Sequence, residues 1–193
     1  MELTIKLFEE WMQNFSHKIH DNKQYLNDLD DAIGDGDHGS NMVRGMDAVI
    51  ENLNTKNPGD ITDALKLTAM SLISKVGGAS GPLYGTAFLE MAKKSTQTTD
   101  LNQLLDVALQ GIIKRGGAEI GDKTLVDVWT VIIDKLKTSK LTLEDIEETV
   151  EKTKDLVAHK GRASYLGERS KGHLDPGAVS SGYLFDSLLE AEG

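Results

Sequence analysis

The sequence predicts an all-α protein, and three observations support that class. Apolar residues recur at steps of three and four along most of the 193 residues, which is the spacing of one face of a helix. No run of alternating apolar and polar residues is long enough to predict a strand. The connections between periodic segments are short and contain glycine, so we expect about eight helices whose sequential members are antiparallel neighbours.

The predicted helices follow from the apolar stripes in chain order. The stripes cover about residues 3–22, 42–53, 61–76, a segment from Pro82 onward, 101–113, 128–136, 142–157 and a last segment from Asp175 to Leu189. Asp60 and Thr142 are placed to cap the third and seventh helices, and glycine pairs at 77–78 and 116–117 end two others. Pro82 marks the first position of the fourth.

Composition limits the class of protein. A chain of 193 residues is long enough for one domain, which we expect to span residues 1–193. The net charge of −10 and the dispersed basic residues argue against nucleic acid or an anionic membrane as partners. There is no cysteine, so disulfides, zinc–thiolate sites and thiol catalysis are excluded. Without an apolar signal core or a membrane-spanning stretch, we expect a cytoplasmic protein.

An aspartate-rich stretch at residues 29–41 predicts a cation site. It contains glycines at 34, 36 and 39, no lysine or arginine, and four acids within eight positions: Asp30, Asp31, Asp35 and Asp37. Carboxylate oxygens suit hard ions such as Mg²⁺ or Ca²⁺. Asp35 and Asp37 can point to one side of a loop while Asp30 closes the site, which gives a ligand set suited to Mg²⁺.

Two other interpretations of this stretch are a calcium loop and a set of helix caps. A calcium loop of the EF-hand type requires acidic or amide ligands at positions one, three and five and a glutamate at twelve. Counting from Asp35 puts Gly39 fifth and Met46 twelfth, so that interpretation fails. The aspartates could also serve only as caps of helices and turns, and that alternative stays open at this point.

The stretch at 77–85 is rich in glycine and is a candidate phosphate-binding loop. Small residues let the backbone approach a ligand, and the free N–H groups of a helix start attract anions. It is not a Walker A loop, because the lysine of that motif is absent. A plain interhelical connection is the alternative.

Topology brings this loop and the acidic one together. Alternate loops of consecutive antiparallel helices lie at the same end of a bundle. We therefore expect the loops at 29–41, 77–82, 115–124 and 160–177 to meet at one end.

Four motifs together resemble those of one family. They are Leu-Asp-Asp-Ala-Ile-Gly-Asp-Gly-Asp-His-Gly at 29–39, Gly-Gly-Ala-Ser-Gly-Pro-Leu-Tyr-Gly at 77–85, Gly-Asp-Lys-Thr at 121–124, and Gly-Arg-Ala-Ser-Tyr-Leu-Gly-Glu-Arg-Ser at 161–170 followed by Asp-Pro-Gly at 175–177. Over nearly its whole length the chain resembles the ADP-binding L subunits (DhaL) of dihydroxyacetone kinases. The resemblance implies a closed barrel of eight antiparallel helices with the nucleotide at one end.

The resemblance also implies roles for individual residues. Asp30, Asp35 and Asp37 would hold two Mg²⁺ ions, whereas Asp31 matches no ligand. Phosphate contacts fall on His38, Gly39, Ser40, Asn41, Ala79 and Ser80. The base and ribose fall on Gly116, Leu125, Arg162, Asp175, Pro176 and Gly177. Two alternatives stay open: His38 as a general base or phosphoacceptor, and Arg162 as the partner of an acid. No residue of this chain is assigned as catalytic.

The implied activity requires other chains. A separate K subunit binds dihydroxyacetone in this family, and nothing in the sequence matches it, so the chain should be inactive alone. A free-standing L chain resembles the phosphoenolpyruvate-dependent type, in which the M subunit of the phosphotransferase system (PTS) rephosphorylates tightly bound ADP. The phosphoryl group then passes to dihydroxyacetone on K.

Alternatives to this phosphotransferase remain. They are a nucleotide-binding subunit of an ATP-dependent kinase, of the dihydroxyacetone or fatty-acid kinase type, and a nucleotide-loaded regulatory module. The partner expectations also include a homodimer.

Overall fold

The computed structural model describes residues 1–193, and the all-α class is confirmed. Its helices are α1 (Ile5–Asp21), α2 (Lys23–Ile33), α3 (His38–Lys56), α4 (Ile61–Lys75), α5 (Ser80–Ser95), α6 (Leu101–Gly116), α7 (Leu125–Thr138), α8 (Leu143–Lys152) and α9 (Pro176–Glu192). Two 3-10 segments cover Thr153–Asp155 and Arg162–Ser170. The extended structure is one isolated bridge between Glu2 and Asp100. No helix combines the length and the apolar character needed to cross a bilayer.

Helix α2 was not predicted, and it changes the boundaries of the acidic stretch. It follows α1 after the single residue Asn22, and it buries Leu26 and Ile33 with Leu29 partly buried between them. These residues have helical spacing, but the many charges around them conceal the stripe. Asp30 therefore lies in a helix, and the loop proper is only residues 34–37.

Two other boundaries differ from the prediction. The predicted helix over 142–157 ends at Lys152, and a 3-10 turn follows it. The helix ends early because the buried amine of Lys123 donates hydrogen bonds to carbonyls of the residues that follow Lys152. Helix α5 begins at Ser80, so Pro82 is its third residue rather than its first. Proline is still tolerated there, since the first turn of a helix has no internal N–H partner to lose.

The helices pack side by side in a circuit. From α3 to α9 each helix contacts the next, α9 contacts α1, and α1 contacts α3, while α2 lies against α3 and α9. Aromatic side chains from α1, α5, α7 and α9 meet inside: Phe8, Trp11, Phe88, Tyr84, Trp129 and Phe185. The Trp11 indole donates to the Leu184 carbonyl at 2.7 Å, which ties α1 to α9. This core fixes the helix ends that carry the site.

Candidate functional site

Three aspartates form the acidic centre of the site, as predicted. Carboxylate oxygens of Asp30, Asp35 and Asp37 all lie within 4.8 Å of one another. Asp30 is the most buried of the three, and its Oδ2 accepts from the backbone N–H groups of Asp37 at 2.8 Å and His38 at 3.1 Å. One oxygen of Asp30 therefore caps the start of α3, which is the role that the alternative interpretation gave to the aspartates. Asp31 is exposed and lies outside the cluster.

Gly34 lets the chain turn closely around Asp30. A Cβ at this position would lie 2.1 Å from Asp30 Oδ1, far inside van der Waals contact. The Gly34 N–H also donates to the Asp30 carbonyl at 2.5 Å. Any side chain at position 34 would displace the Asp30 carboxylate.

A guanidinium lies against the cluster. Arg162, at the start of the second 3-10 segment, places Nη2 at 2.9 Å from Asp35 Oδ2. The pairing of Arg162 with an acid, open from the sequence alone, is thus present in the structure. It shows that the clustered carboxylates attract a positive group, and an all-oxygen ligand set of this kind fits a hard cation.

The glycine-rich loop is held against the start of α3. A Cβ on Gly77 would lie 3.0 Å from Asn41 Oδ1, so this glycine allows the close approach. Arg44 donates through Nε to the Lys75 carbonyl at 2.8 Å and through Nη2 to Asn41. Gly78 has a φ of 66°, in the left-handed region. The acidic loop and the glycine-rich loop therefore meet, as the topology predicted.

His38 is buried between two hydroxyl groups. Its Nδ1 lies 3.2 Å from Ser80 Oγ and its Nε2 lies 2.9 Å from Ser180 Oγ. Burial lowers the pKa of His38 to about 4, against the opposing charge of Asp37, so the imidazole is neutral near pH 7. Because both ring nitrogens are engaged, the geometry disfavours the alternative roles of general base and phosphoacceptor.

The two remaining loops lie at the same end of the molecule. The His159 N–H donates to the Asp122 carbonyl at 3.1 Å, which joins the loops after α6 and α8. A Cβ on Gly116 would lie 3.0 Å from Leu83, a residue of α5, and one on Gly177 would lie 3.9 Å from Leu125. With the contacts of Arg162 and His38, these link all four loops at one end of the bundle.

Every predicted binding residue lies at the end of a helix. His38, Gly39, Ser40 and Asn41 begin α3, Ala79 and Ser80 begin α5, Gly116 ends α6, Leu125 begins α7, Arg162 begins a 3-10 segment, and Asp175, Pro176 and Gly177 begin α9. The Asp175 carboxylate caps α9 through the N–H of Ala178 at 2.8 Å. Burial raises the pKa of Asp175 to about 6.

Several residues that shape this end have no role predicted from the sequence. Lys123 is buried and donates through Nζ to the carbonyls of Thr153 at 2.8 Å, Lys154 at 3.2 Å and Leu156 at 3.1 Å. Asp127 accepts from the N–H groups of Gly121 and Thr124. The capping pattern Thr124-x-x-Asp127 indicates the contact of Asp127 with Thr124 from the sequence alone. Nothing local indicates the contacts of Lys123, since the carbonyls that it binds are distant in sequence.

Helix starts, a carboxylate cluster and a glycine-rich loop lie together at one end of this all-α domain, and such groups suit phosphate and a hard cation. Comparison with known proteins gives the family. The chain belongs to the DAK2 domain family, whose model matches residues 32–190.

Relatives of similar length support the sequence-based resemblance. The chain is 50% identical over 188 residues to "PTS-dependent dihydroxyacetone kinase, ADP-binding subunit DhaL" of Lactococcus lactis, covering 97% of this chain and 98% of the relative. It is 51% identical to "PEP-dependent dihydroxyacetone kinase 1, ADP-binding subunit DhaL" of Listeria innocua, covering 94% of each chain. The Escherichia coli ADP-binding subunit DhaL is 40% identical and covers 99% of each.

A solved structure shares the fold. The dihydroxyacetone kinase of C. freundii matches with a TM-score of 0.79 and 23% identity, over 98% of this chain but 35% of that one. A second structure of that enzyme, in complex with AMP-PNP and Mg²⁺, matches with the same TM-score over 34% of its chain. The present chain thus spans about a third of that enzyme's length.

Proposed function

We propose that this chain is the ADP-binding subunit of a phosphoenolpyruvate-dependent dihydroxyacetone kinase. The observation that supports it most is that the predicted metal and phosphate residues meet at one end of the fold. A relative described as an ADP-binding subunit matches this chain nearly end to end. We further propose that residues 1–193 act as one nucleotide-binding domain in the cytoplasm.

Asp30, Asp35 and Asp37 would hold two Mg²⁺ ions. When bound, Mg²⁺ neutralises the charge of the phosphate groups. Asp30 is held ready for this role, because two backbone N–H groups and the tight turn at Gly34 fix its carboxylate. Asp37 makes no capping contact with its own helix, so its oxygens are available to a cation.

The helix starts would bind the phosphates. Helix α5 has no side-chain cap, so its first N–H groups are available to an anion, and the helix dipole favours negative charge there. In α3 the Asp30 carboxylate already accepts a hydrogen bond from the backbone N–H of His38, and the Asn27 side chain accepts one from that of Ser40 at 3.0 Å. Ala79 and Ser80 are therefore the better placed of the proposed phosphate contacts.

The nucleoside would lie beyond the phosphates, between the ends of α6, α7 and α9. We assign it to Gly116, Leu125, Arg162 and the Asp175-Pro176-Gly177 turn. Leu125 supplies an apolar contact close to Gly177. In this arrangement Arg162 can reach both the acidic cluster and a bound nucleotide.

The proposed partners are a K subunit that holds dihydroxyacetone and an M subunit that carries phosphohistidine. Bound ADP would carry the phosphoryl group from the M subunit to dihydroxyacetone. We assign this chain a role in positioning and charge neutralisation rather than in covalent catalysis, because phosphoryl transfer depends mainly on these two effects.

The test is the ligand content and activity of the purified chain. We expect ADP and roughly two Mg²⁺ per chain after heat release, and formation of dihydroxyacetone phosphate only when K and phosphorylated M are added. Asp35→Asn and Asp37→Asn should lose the nucleotide while keeping the helical far-UV signal. Asp31→Asn, an exposed acid outside the cluster, is the matched control. A chain with no affinity for ADP at millimolar Mg²⁺ would contradict the proposal.

A further inference from the structure

A chain of buried hydrogen bonds runs from the glycine-rich loop into the core. Ser80, partly exposed at the start of α5, contacts His38, and His38 contacts Ser180 of α9. The Tyr84 hydroxyl lies 2.8 Å from the hydroxyls of both Ser180 and Ser181. The Trp129 indole donates to Ser181 at 3.0 Å and completes the chain. Only the Ser80 end faces the proposed phosphate position.

We propose that His38 is a positioning residue that orients the Ser80 hydroxyl so that Ser80 donates its proton to a bound phosphate. The inference rests on the proposed function, because it takes the ligand of the glycine-rich loop to be a nucleoside diphosphate. It assigns His38 an indirect role, in place of a direct side-chain contact with phosphate.

Two arrangements of protons are possible along this series of hydrogen bonds, and they differ in which ring nitrogen of His38 carries its proton. If His38 carries its ring proton on Nε2, it donates to Ser180, and Ser80 donates to Nδ1. The single hydroxyl proton of Ser80 is then used, and none is left for an anion. If the ring proton is on Nδ1, His38 donates to Ser80, and the Ser80 proton is free for a phosphate oxygen. The second arrangement is the one that binds an anion.

The hydrogen bonds at the buried end, around Ser180 and Tyr84, can accommodate the arrangement with the ring proton on Nδ1. Ser180 lies 3.2 Å from the Gly177 carbonyl and can donate to it when it accepts from His38. When Ser180 donates to His38 instead, the Tyr84 hydroxyl, 3.4 Å from the same carbonyl, can replace it as donor. A buried carbonyl thus keeps a donor in either arrangement, so the change strands no polar group.

The direct test is the ring proton of His38 in the wild-type protein. Long-range ¹H–¹⁵N spectra of ¹⁵N-histidine protein with ADP and Mg²⁺ identify the protonated ring nitrogen. We expect the Nδ1–H form of His38 in the complex. The Nε2–H form there would overturn the proposal, since His38 could not then donate to Ser80 and orient its proton towards phosphate.

A double-mutant cycle tests whether His38 acts through Ser80. Ser80→Ala removes a charge-assisted hydrogen bond and should weaken ADP binding about tenfold. His38→Gln, whose amide sits nearer the Nε2 position, should weaken it similarly, and the double variant should be no weaker than Ser80→Ala alone. His38→Asn, with an amide near the Nδ1 position, should recover most of the affinity. Independent effects that multiply in the double variant would overturn the proposal.

Controls separate this inference from the proposed function and from misfolding. Ser187→Ala is matched to these changes, because Ser187 is buried on α9 and its hydroxyl bonds only to the Tyr183 carbonyl. It should bind ADP as the wild type does. A wild-type chain that binds no ADP contradicts the proposed function itself, whereas ADP binding with the Nε2–H form contradicts only the role of His38. The spectra require no variant, so they decide the matter even if His38→Gln does not fold.

Discussion

At the scale of single residues, Gly34 and Asp30 together set the acidic cluster. The Asp30 carboxylate is fixed on one side by two N–H groups at the start of α3 and is approached on the other by the Gly34 backbone. Its geometry therefore depends on a position without a side chain. This makes Gly34 as important to the site as a ligand, although it has no polar side-chain atom.

The first prediction concerns Gly34→Ala. The added methyl would meet Asp30 Oδ1 at 2.1 Å, so the carboxylate must rotate away and its capping bonds must lengthen. We expect at least a tenfold loss of ADP affinity at fixed Mg²⁺, measured by titration calorimetry, because a displaced ligand weakens a metal site. Gly59→Ala is the control, since a Cβ there meets nothing within 4 Å. Equal affinities of the two variants would show that Asp30 does not contribute to binding.

The sequence allowed the residue types of this site to be predicted but not their contacts. The grouping of Asp30, Asp35 and Asp37 followed from their spacing and the need for a counter-ion, and the structure brings them together. The pairing of Asp35 with Arg162 joins residues far apart in the chain. His38 contacts Ser180, which is equally remote from it in the chain. Such contacts are set by tertiary packing and leave no local pattern.

At the scale of elements, most helices followed from the apolar stripes, and the exceptions have physical causes. Helix α2 carries its stripe on three residues among many charged ones, so its signal is weak. Helix α8 ends early because Lys123 binds the carbonyls that follow it. Lys123 itself has a φ of 61°, an unfavourable conformation for a residue with a side chain, which three hydrogen bonds offset.

The second prediction is that Lys123→Met destabilises the protein by about 3 kcal/mol, because three carbonyls lose their charged donor. Methionine keeps the apolar stem, so the change isolates the amine. Urea denaturation followed by circular dichroism measures the free energy of unfolding. Lys114→Met, an exposed lysine at the end of α6, should change it little. Matching losses in the two variants would mean that the buried amine contributes nothing specific.

The third prediction concerns pH and the cap of α9. Burial raises the pKa of Asp175 to about 6 in the folded protein. An ordinary aspartate has a pKa of about 3.9, so the folded state binds this proton more tightly than the unfolded state. The contribution of Asp175 to stability is therefore greatest below pH about 4 and falls as the pH rises to about 6.

Asp175→Asn removes this titration while keeping a capping oxygen for Ala178. We expect the free energy of unfolding of the variant, relative to that of the nucleotide-free wild type, to rise by about 2 kcal/mol between pH 4 and pH 7. Urea denaturation at several pH values measures the difference. Parallel pH profiles for the two proteins would contradict the raised pKa.

At the scale of the whole molecule, the arrangement of four loops at one end was predictable from antiparallel helix order alone. The contacts of Asp35 with Arg162, of His38 with Ser80 and Ser180, and of Asp122 with His159 confirm it. For a chain with a net charge of −10, the proposed phosphate binding relies on cations and backbone N–H groups more than on basic side chains. A ligand held from several loops at once should leave slowly.

The last prediction separates a bound cofactor from an exchanging substrate. In a mixture of K, phosphorylated M, dihydroxyacetone and a stoichiometric amount of chain-bound ADP, we expect turnover to continue for many cycles. In the proposed site the nucleotide is held by several loops at once, and Arg162 links one of them to the acidic cluster, so we expect exchange to be slow relative to transfer. Radiolabelled ADP on the protein should therefore remain with it through turnover in excess unlabelled ADP. Rapid loss of the label, or sustained activity from free ATP without M, would identify an ATP-consuming kinase subunit instead.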